Sequence, residues 1–208
     1  NKALLSGKGD SKNGGFAAPG SPWYDPSLDG LNKPDVAKAK RLLAQAGYPH
    51  GFTFEVGNAP VIKQQNETIA QLLKEGGITM KITDVANGQY TAEVRKGRFP
   101  AGYFVPTSID IYQWWSRTVS NKGIYNAFKL DDLADLDKIF AQALAMSDDG
   151  ARKPLISRLQ RQTVERGVAF PLSQNPRAAA LAAPVRATQQ PIFAPEDIAP
   201  RPHYLWTK

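Results

Sequence analysis

The sequence of 208 residues contains no cysteine, only two histidines and no long apolar run. Without cysteine the chain can form neither a disulfide framework nor a thiolate zinc site, and it has no cysteine nucleophile. His50 lies in a turn and His203 in the C-terminal tail, positions where a surface role is the ordinary interpretation. No apolar segment approaches the ~18 residues that a membrane-spanning helix needs. The first residues also lack the apolar core of a signal peptide.

The familiar catalytic motifs are missing as well. The sequence has no H-E-x-x-H, G-x-S-x-G, P-loop or G-x-G-x-x-G pattern. Two pairs of acids occur, Asp131-Asp132 and Asp148-Asp149, but both stand at the start of predicted helices, where carboxylates interact favourably with the helix dipole. We therefore predict no enzymatic activity, no metal site and no cofactor.

Basic residues outnumber acidic ones, 26 to 19, which gives a net charge of +7 and an isoelectric point of about 9.6. Such a balance can indicate a nucleic-acid or acidic partner. The basic residues are dispersed, however, and no more than two are consecutive. A soluble protein with scattered charge is the favoured interpretation, and a basic α/β interaction module that binds an acidic partner or nucleic acid remains the alternative.

The hydrophobic pattern predicts strands alternating with helices. Apolar spacing indicates helices over residues 35–46, 60–75, 87–96, 131–146 and 149–166, with Asp35 capping the first. Alternating apolar residues indicate strands at 52–56 and 78–82, and three consecutive apolar residues, 103–105, indicate the end of a buried strand at 101–105. This order predicts a parallel sheet with right-handed crossovers. Residues 168–173 and 178–183 are expected to be extended, and the proline-rich tail 184–208 is expected to lie on another surface.

The segment after the third predicted strand holds one acid among large aromatic residues, namely Asp110, Tyr112, Trp114 and Trp115. Ligands of open α/β sheets bind beyond the carboxyl ends of the strands, and this segment leaves such an end. Aromatic faces bind apolar or cationic groups, and a carboxylate can pair with an ammonium. The segment is thus a candidate ligand-binding loop. The alternative is that the tryptophans fill the core beside the sheet, one of them buried and the other exposed.

The order of segments resembles the C-terminal half of the peptide/nickel-type (family 5) extracellular solute-binding proteins of ABC importers. The most specific stretches are DVAKAKRLLAQAGYPHGFTFEV and DDLADLDKIFAQALAMSDDGARKPLISRLQRQTVERGVAFPLSQ. The stretches ETIAQLLKEGGITMKITDV and NKALLSGKGDSKNGG are also similar to the family. Val36 stands where the family usually has proline. Pro106 replaces the tryptophan that often follows the third strand, and the acid at Asp110 is offset by about one position.

The resemblance implies an α/β, periplasmic-binding-protein-like (type II) lobe with a mixed sheet and flanking helices, incomplete without the first lobe. Residues 1–34 would be the inter-lobe connection, 35–183 the ligand-binding lobe and 184–208 a tail that returns to the other lobe. Asp110 would be the ligand's charge partner, with Asn126 and Phe128 close to the ligand. The chain would thus be a fragment of a periplasmic or extracellular, monomeric protein that takes a peptide or other small solute to an ABC permease.

Overall fold

The computed structural model describes residues 14–86, 88–104, 111–126 and 133–172, together with the backbone of two short strands at 185–187 and 205–207. The chain divides into two compact units that are not contiguous in sequence. The first unit comprises residues 1–32, 106–121 and 130–208, and the second comprises residues 33–105 and 122–129. The predicted boundaries at residues 34 and 183 stay a prediction.

The second unit is built around a parallel pair of strands, β1 (Phe52–Asn58) and β2 (Ile78–Asp84). The register pairs Phe52 with Ile78 and Asn58 with Asp84. Because side chains alternate along a strand, one face of the pair is apolar and the other carries Thr53, Glu55 and their partners. The predicted strand–helix–strand order and its parallel direction are confirmed.

The third predicted strand is reduced to a single parallel bridge between Ala101 and Val56. Pro100 has no N–H to give to a ladder, and Gly102 weakens an extended segment. A Cβ at Gly102 would also lie 3.1 Å from the Tyr90 hydroxyl, so the chain here is held against a side chain rather than against a strand. Val105, the last residue of the predicted strand, lies outside the described residues.

Three helices surround this pair of strands. Helix α1 (Val36–Gln45) begins at Asp35, whose Oδ1 accepts the Lys38 N–H at 2.8 Å, so the predicted cap is confirmed. The second helix opens with a 3-10 turn and continues as α2 (Lys63–Glu75). Helix α3 (Tyr90–Arg95) is shorter than predicted. Among the described residues of this unit, the buried apolar side chains are Val56, Ile62 and Phe99.

The first unit contains the segment that the sequence analysis took for a loop. Its described part is helical instead, with α4 (Ile111–Trp114) running into a π-helical turn at Trp115–Val119. The physical reason is the spacing of four apolar residues at i, i+3, i+4 and i+8, which places them on one helical face. That face enters the largest described core, whose members also come from α5 (Ala134–Ala145) and α6 (Asp149–Glu165).

Helices α5 and α6 lie where the sequence predicts them, and Asp148 accepts the Ala151 N–H at 2.7 Å as the cap of α6. Asp131 and Asp132 lie outside the described residues. Residues 168–172 form no strand, and residues 178–183 are not described. In the tail, β3 (Val185–Ala187) pairs antiparallel with β4 (Leu205–Thr207), a pairing that the sequence analysis did not predict. The parallel and antiparallel pairs belong to separate sheets.

The N-terminal segment, residues 14–32, is tied to helix α6 by polar contacts. The buried side chain of Gln160 accepts the N–H groups of Phe16 and Ala17 at 2.8 and 3.0 Å, and its amide nitrogen donates to the Trp23 carbonyl at 3.2 Å. Further along, the Ser157 hydroxyl donates to Asp25. The segment is thus bonded to one face of helix α6, and its apolar residues Ala17 and Leu28 are buried as well.

Candidate functional site

A polar network closes the carboxyl ends of β1 and β2 in the second unit. The Nδ2 group of Asn58 donates to Oδ1 of Asp84 at 2.7 Å, joining the last residues of the two strands. The Nδ2 group of Asn66, on α2, donates to Oδ1 of Asn58 at 3.1 Å and to the Gly57 carbonyl at 3.2 Å. Both asparagines are buried, whereas Asp84 is exposed. The network therefore fixes a carboxylate at the sheet edge where ligands of parallel sheets bind.

An aromatic pair lies beside the third extended segment of the same unit. The rings of Phe104 and Tyr125 are 4.5 Å apart, and the Arg95 guanidinium carbon lies 4.8 Å from the centre of the Tyr125 ring. The same guanidinium donates to the Tyr125 hydroxyl at 3.1 Å. Asn126 follows directly and is half-buried. Together these groups offer an aromatic face, an amide and an exposed cation to a solute.

Two further tyrosines hold the segment that carries Phe104. The Tyr90 hydroxyl donates to the Tyr103 carbonyl at 2.9 Å. Burial raises the pKa of Tyr90, against a smaller opposite effect of that hydrogen bond, and burial also raises the pKa of Tyr103. Both phenols are therefore neutral at physiological pH, and the Tyr90 hydroxyl acts as a hydrogen-bond donor rather than as a charge.

In the first unit, the two adjacent tryptophans are both core residues. Trp114 is 8% exposed and Trp115 is 0% exposed, so the expectation that one of them faces solvent is wrong. Trp114 stacks on Phe16 with ring centres 3.8 Å apart. The indole N–H of Trp115 donates to Oδ1 of Asp137 at 3.1 Å, and the other oxygen of Asp137 accepts the Asn121 N–H. Asp137 thereby pins the end of the π-helical turn to α5.

Tyr112 belongs to the same aromatic cluster but lies at its edge. Its ring meets Trp23 edge-on at 5.4 Å and lies 5.9 Å from Phe140. The Arg152 guanidinium carbon lies 5.8 Å from the centre of the Tyr112 ring. The tyrosine is half-buried, so part of its surface remains open.

The structure thus treats the predicted site residues in three ways. Tyr112, Trp114 and Trp115 come together in the core of the first unit. Asn126 lies in the second unit, beside the aromatic pair. Asp110 and Phe128 lie outside the described residues, and their roles stay predictions.

The sequence analysis missed Arg95, Tyr125 and the Asn58–Asp84 pair. The sequence does carry a signal for Asn58 and Asp84, because each follows the alternating apolar residues of a predicted strand. Each must therefore stand at the carboxyl edge of the sheet. Arg95 and Tyr125 carry no such signal, since their contact joins positions 30 residues apart. Among the described residues, no group of three or more acidic or histidine side chains is placed to hold a metal ion.

Comparison with known proteins gives a family model described as bacterial extracellular solute-binding proteins, family 5 Middle, which matches residues 1–126. Among curated proteins, the glutathione-binding protein GsiB of Escherichia coli K12 is 28% identical over 170 residues. That alignment covers 70% of this chain and 32% of GsiB. The chain therefore spans about a third of the length of the curated relatives it matches.

Solved structures show the same fold. A dipeptide-binding protein of Pseudoalteromonas sp. SM9913, in complex with Met-Leu, superposes with a TM-score of 0.78 at 20% identity, covering 100% of this chain and 42% of that protein. AgaA of A. tumefaciens R10, in complex with agropinic acid, gives a TM-score of 0.72 at 20% identity, covering 84% of this chain and 37% of AgaA. These superpositions confirm the predicted fold class, an α/β lobe of the type II periplasmic-binding-protein kind. Within the described residues no helix combines the length and apolar character needed to cross a membrane.

Proposed function

The chain belongs to the bacterial extracellular solute-binding proteins of family 5, and from that membership we propose that its native gene product captures a small solute for an ABC importer. The observation that carries the proposal is the family match over residues 1–126. The solute is a peptide or another small amphipathic molecule, and the receiving partner is a membrane permease. The protein acts outside the cytoplasmic membrane, as a monomer, without nucleic acid and without covalent chemistry.

Capture follows from enclosure between two lobes rather than from a reaction. A solute that is covered on both sides loses most of its contact with water, so a few aromatic contacts and one charge pair are sufficient for tight binding. The described residues support this proposal at the carboxyl edge of the second unit. There the Phe104–Tyr125 pair offers a flat face, and Asn126 offers an amide with both a donor and an acceptor.

The six predicted site residues divide into two proposed roles. Asp110, Asn126 and Phe128 contact the solute, with Asp110 as the partner of a cationic group. Trp114 and Trp115 stabilise the core of the first unit, because their burial leaves little or no side-chain surface for a solute. Tyr112, at the edge of the aromatic cluster, contributes to both roles.

The test begins with the native gene product that contains this chain, purified without denaturation. Mass spectrometry of the released small molecules identifies a bound solute, and calorimetry then measures its affinity beside those of glutathione and Met-Leu. Asp110→Ala is expected to weaken binding of the identified solute by about tenfold or more, as one lost charge pair of ~1.4 kcal/mol implies. Glu67→Ala, which removes an exposed carboxylate from α2, is the matched control and should leave affinity unchanged.

Two results would contradict parts of this proposal. Absence of any released solute, together with no heat of binding for the tested ligands, would argue against solute capture. Equal affinity of the native protein and the Asp110→Ala variant would remove Asp110 from the site while leaving the function standing.

A further inference from the structure

A cleft on the first unit carries an uneven distribution of charge. It has a volume of about 570 Å³ and lies between the N-terminal segment and helix α6. Three cations and three smaller polar groups line it, namely Lys153, Arg158, Arg161, Asp25, Ser27 and Ser157. The cleft is open to solvent, so it suits an extended molecule on the surface better than a small solute that must be enclosed.

The positive charges of this cleft are only partly neutralised within the protein. Arg161 donates to the carbonyl and hydroxyl oxygens of Ser27, both at 3.2 Å, and lies 3.8 Å from Glu165. Among the described residues, no hydrogen bond or ion pair joins a carboxylate to Lys153 or Arg158, and both side chains belong to exposed residues. Among the described residues, Lys153 and Arg158 therefore stand in the cleft without a carboxylate bonded to them, although Asp25 lines the same cleft.

The spacing of the cations decides what size of anion fits them. Lys153 and Arg161 are eight residues apart on one helix, which corresponds to about 12 Å along its axis. A single phosphate or carboxylate is too small to reach both ends of that row. An extended polypeptide with acidic side chains at every second position spans a comparable length, since each residue adds about 3.3 Å.

The carboxylate of Asp25 favours a polypeptide over other polyanions. It already accepts the Ser157 hydroxyl and the Ser27 N–H, the latter at 2.8 Å, and it lies in the same cleft as the cations. A phosphate backbone or an anionic lipid surface would bring only negative charge against it. A peptide can present a backbone N–H to Asp25 and place its carboxylates on the lysine and the arginines.

We propose that this cleft is a docking surface for an acidic polypeptide segment of a partner protein, with Lys153 and Arg158 as the principal contacts. The surface is additional to solute capture. Its ionic contacts are exposed, so the association is expected to be weak and to decrease as salt is added.

The experiment uses the full chain and a blocked peptide with glutamate at positions 1, 3 and 5. NMR and fluorescence polarisation measure the binding of the peptide at physiological salt. The same peptide with glutamine in place of glutamate is the neutral comparison. Lys153→Glu/Arg158→Glu tests the cleft. Lys38→Glu/Arg41→Glu, on exposed residues of α1 in the second unit, changes net charge equally and is the matched control. A milder Lys153→Gln/Arg158→Gln variant covers the case in which the double reversal does not fold.

We expect the glutamate peptide to shift the amide signals of residues around the cleft and the glutamine peptide not to bind. Either cleft variant should bind the glutamate peptide at least tenfold more weakly than the unchanged chain. The α1 control should bind within about twofold of the unchanged chain. An equal loss in the control would mean that net charge alone attracts the peptide and would overturn the proposal. Inorganic phosphate that binds the cleft as tightly as the peptide, or anionic vesicles that bind more tightly, would overturn it as well.

Discussion

Replacing Gln160 with methionine should weaken the attachment of the N-terminal segment to helix α6. The glutamine is 1% exposed, and its side chain forms three hydrogen bonds to the backbone of that segment. Methionine has nearly the same length and volume but can form none of them, so the substitution removes the polar contacts without leaving a large cavity. What remains is a set of two N–H groups and one carbonyl that have each lost the hydrogen bond to Gln160.

The expected cost follows from the burial of those three groups. Ala17 is 1% exposed, so its N–H cannot easily find water, and losing its hydrogen bond to Gln160 should cost about 2 kcal/mol. The Phe16 N–H and the Trp23 carbonyl belong to half-buried residues and should each cost about 1 kcal/mol. The total is about 4 kcal/mol, which corresponds to nearly a thousandfold shift in the opening equilibrium, at 1.4 kcal/mol for each factor of ten.

Hydrogen exchange is the more direct assay because the segment can open without global unfolding. Exchange of the Phe16 and Ala17 amides should accelerate by a factor on the order of 10² to 10³, and urea unfolding should give the global part of the loss. Gln162→Met is the matched control on the same helix, since that side chain accepts only from Arg166. A loss below about 1 kcal/mol, or one equal to that of the control, would refute the assigned role of Gln160.

Two further predictions concern the stability of the strand pair and the loss of stability at acid pH. Gly51 and Gly47 both have positive φ, +80° and +87°. A Cβ added at Gly51 would lie 1.8 Å from the Gly77 carbonyl oxygen, whereas a Cβ added at Gly47 would meet nothing within 4 Å. Gly51→Ala should therefore cost at least about 2 kcal/mol more than Gly47→Ala in urea unfolding, and equal losses would contradict the close approach. The Ser157 hydroxyl, opposed by burial and helped by the Ser27 N–H, holds the pKa of Asp25 below its ordinary 3.8. The stabilisation that ionised Asp25 provides is therefore fully present above pH 3.8 and is lost as pH falls through the lower pKa of the folded state. Acid should accordingly narrow the difference in free energy of unfolding between the native chain and Asp25→Asn. A difference that does not depend on pH would contradict this.

The helices could be predicted because their signals are local. Asp35 and Asp148 each stand directly before an apolar pattern of helical period, and each accepts the N–H three residues later. The first two strands are local in the same sense, with alternating apolar residues between glycine-containing turns. Such features need no knowledge of what packs against them.

The third strand and the tail strands depend on partners instead. The apolar run at 103–105 suggests a strand, but with Pro100 and Gly102 beside Ala101 the described residues form one bridge in place of a ladder. The pairing of β3 with β4 joins residues about 20 positions apart, across a proline-rich sequence that lacks the two-residue turn of a short hairpin. Pairing of this kind is decided by neighbours that a single sequence does not reveal.

The aromatic segment shows the same limit at the candidate site. Large apolar side chains have one composition whether they face a solute or a core, and only their partners distinguish the two cases. Those partners are distant in sequence, because Phe16 stacks on Trp114 and Asp137 accepts from Trp115. The helical spacing of the segment was the one local sign of burial, and it points to the core, because a short loop at a binding edge has no need for a regular face. Substituting Trp115 will therefore report on the folding of the first unit before it reports on any solute, whereas Asn126 and Tyr125 can be changed with smaller effects on the core.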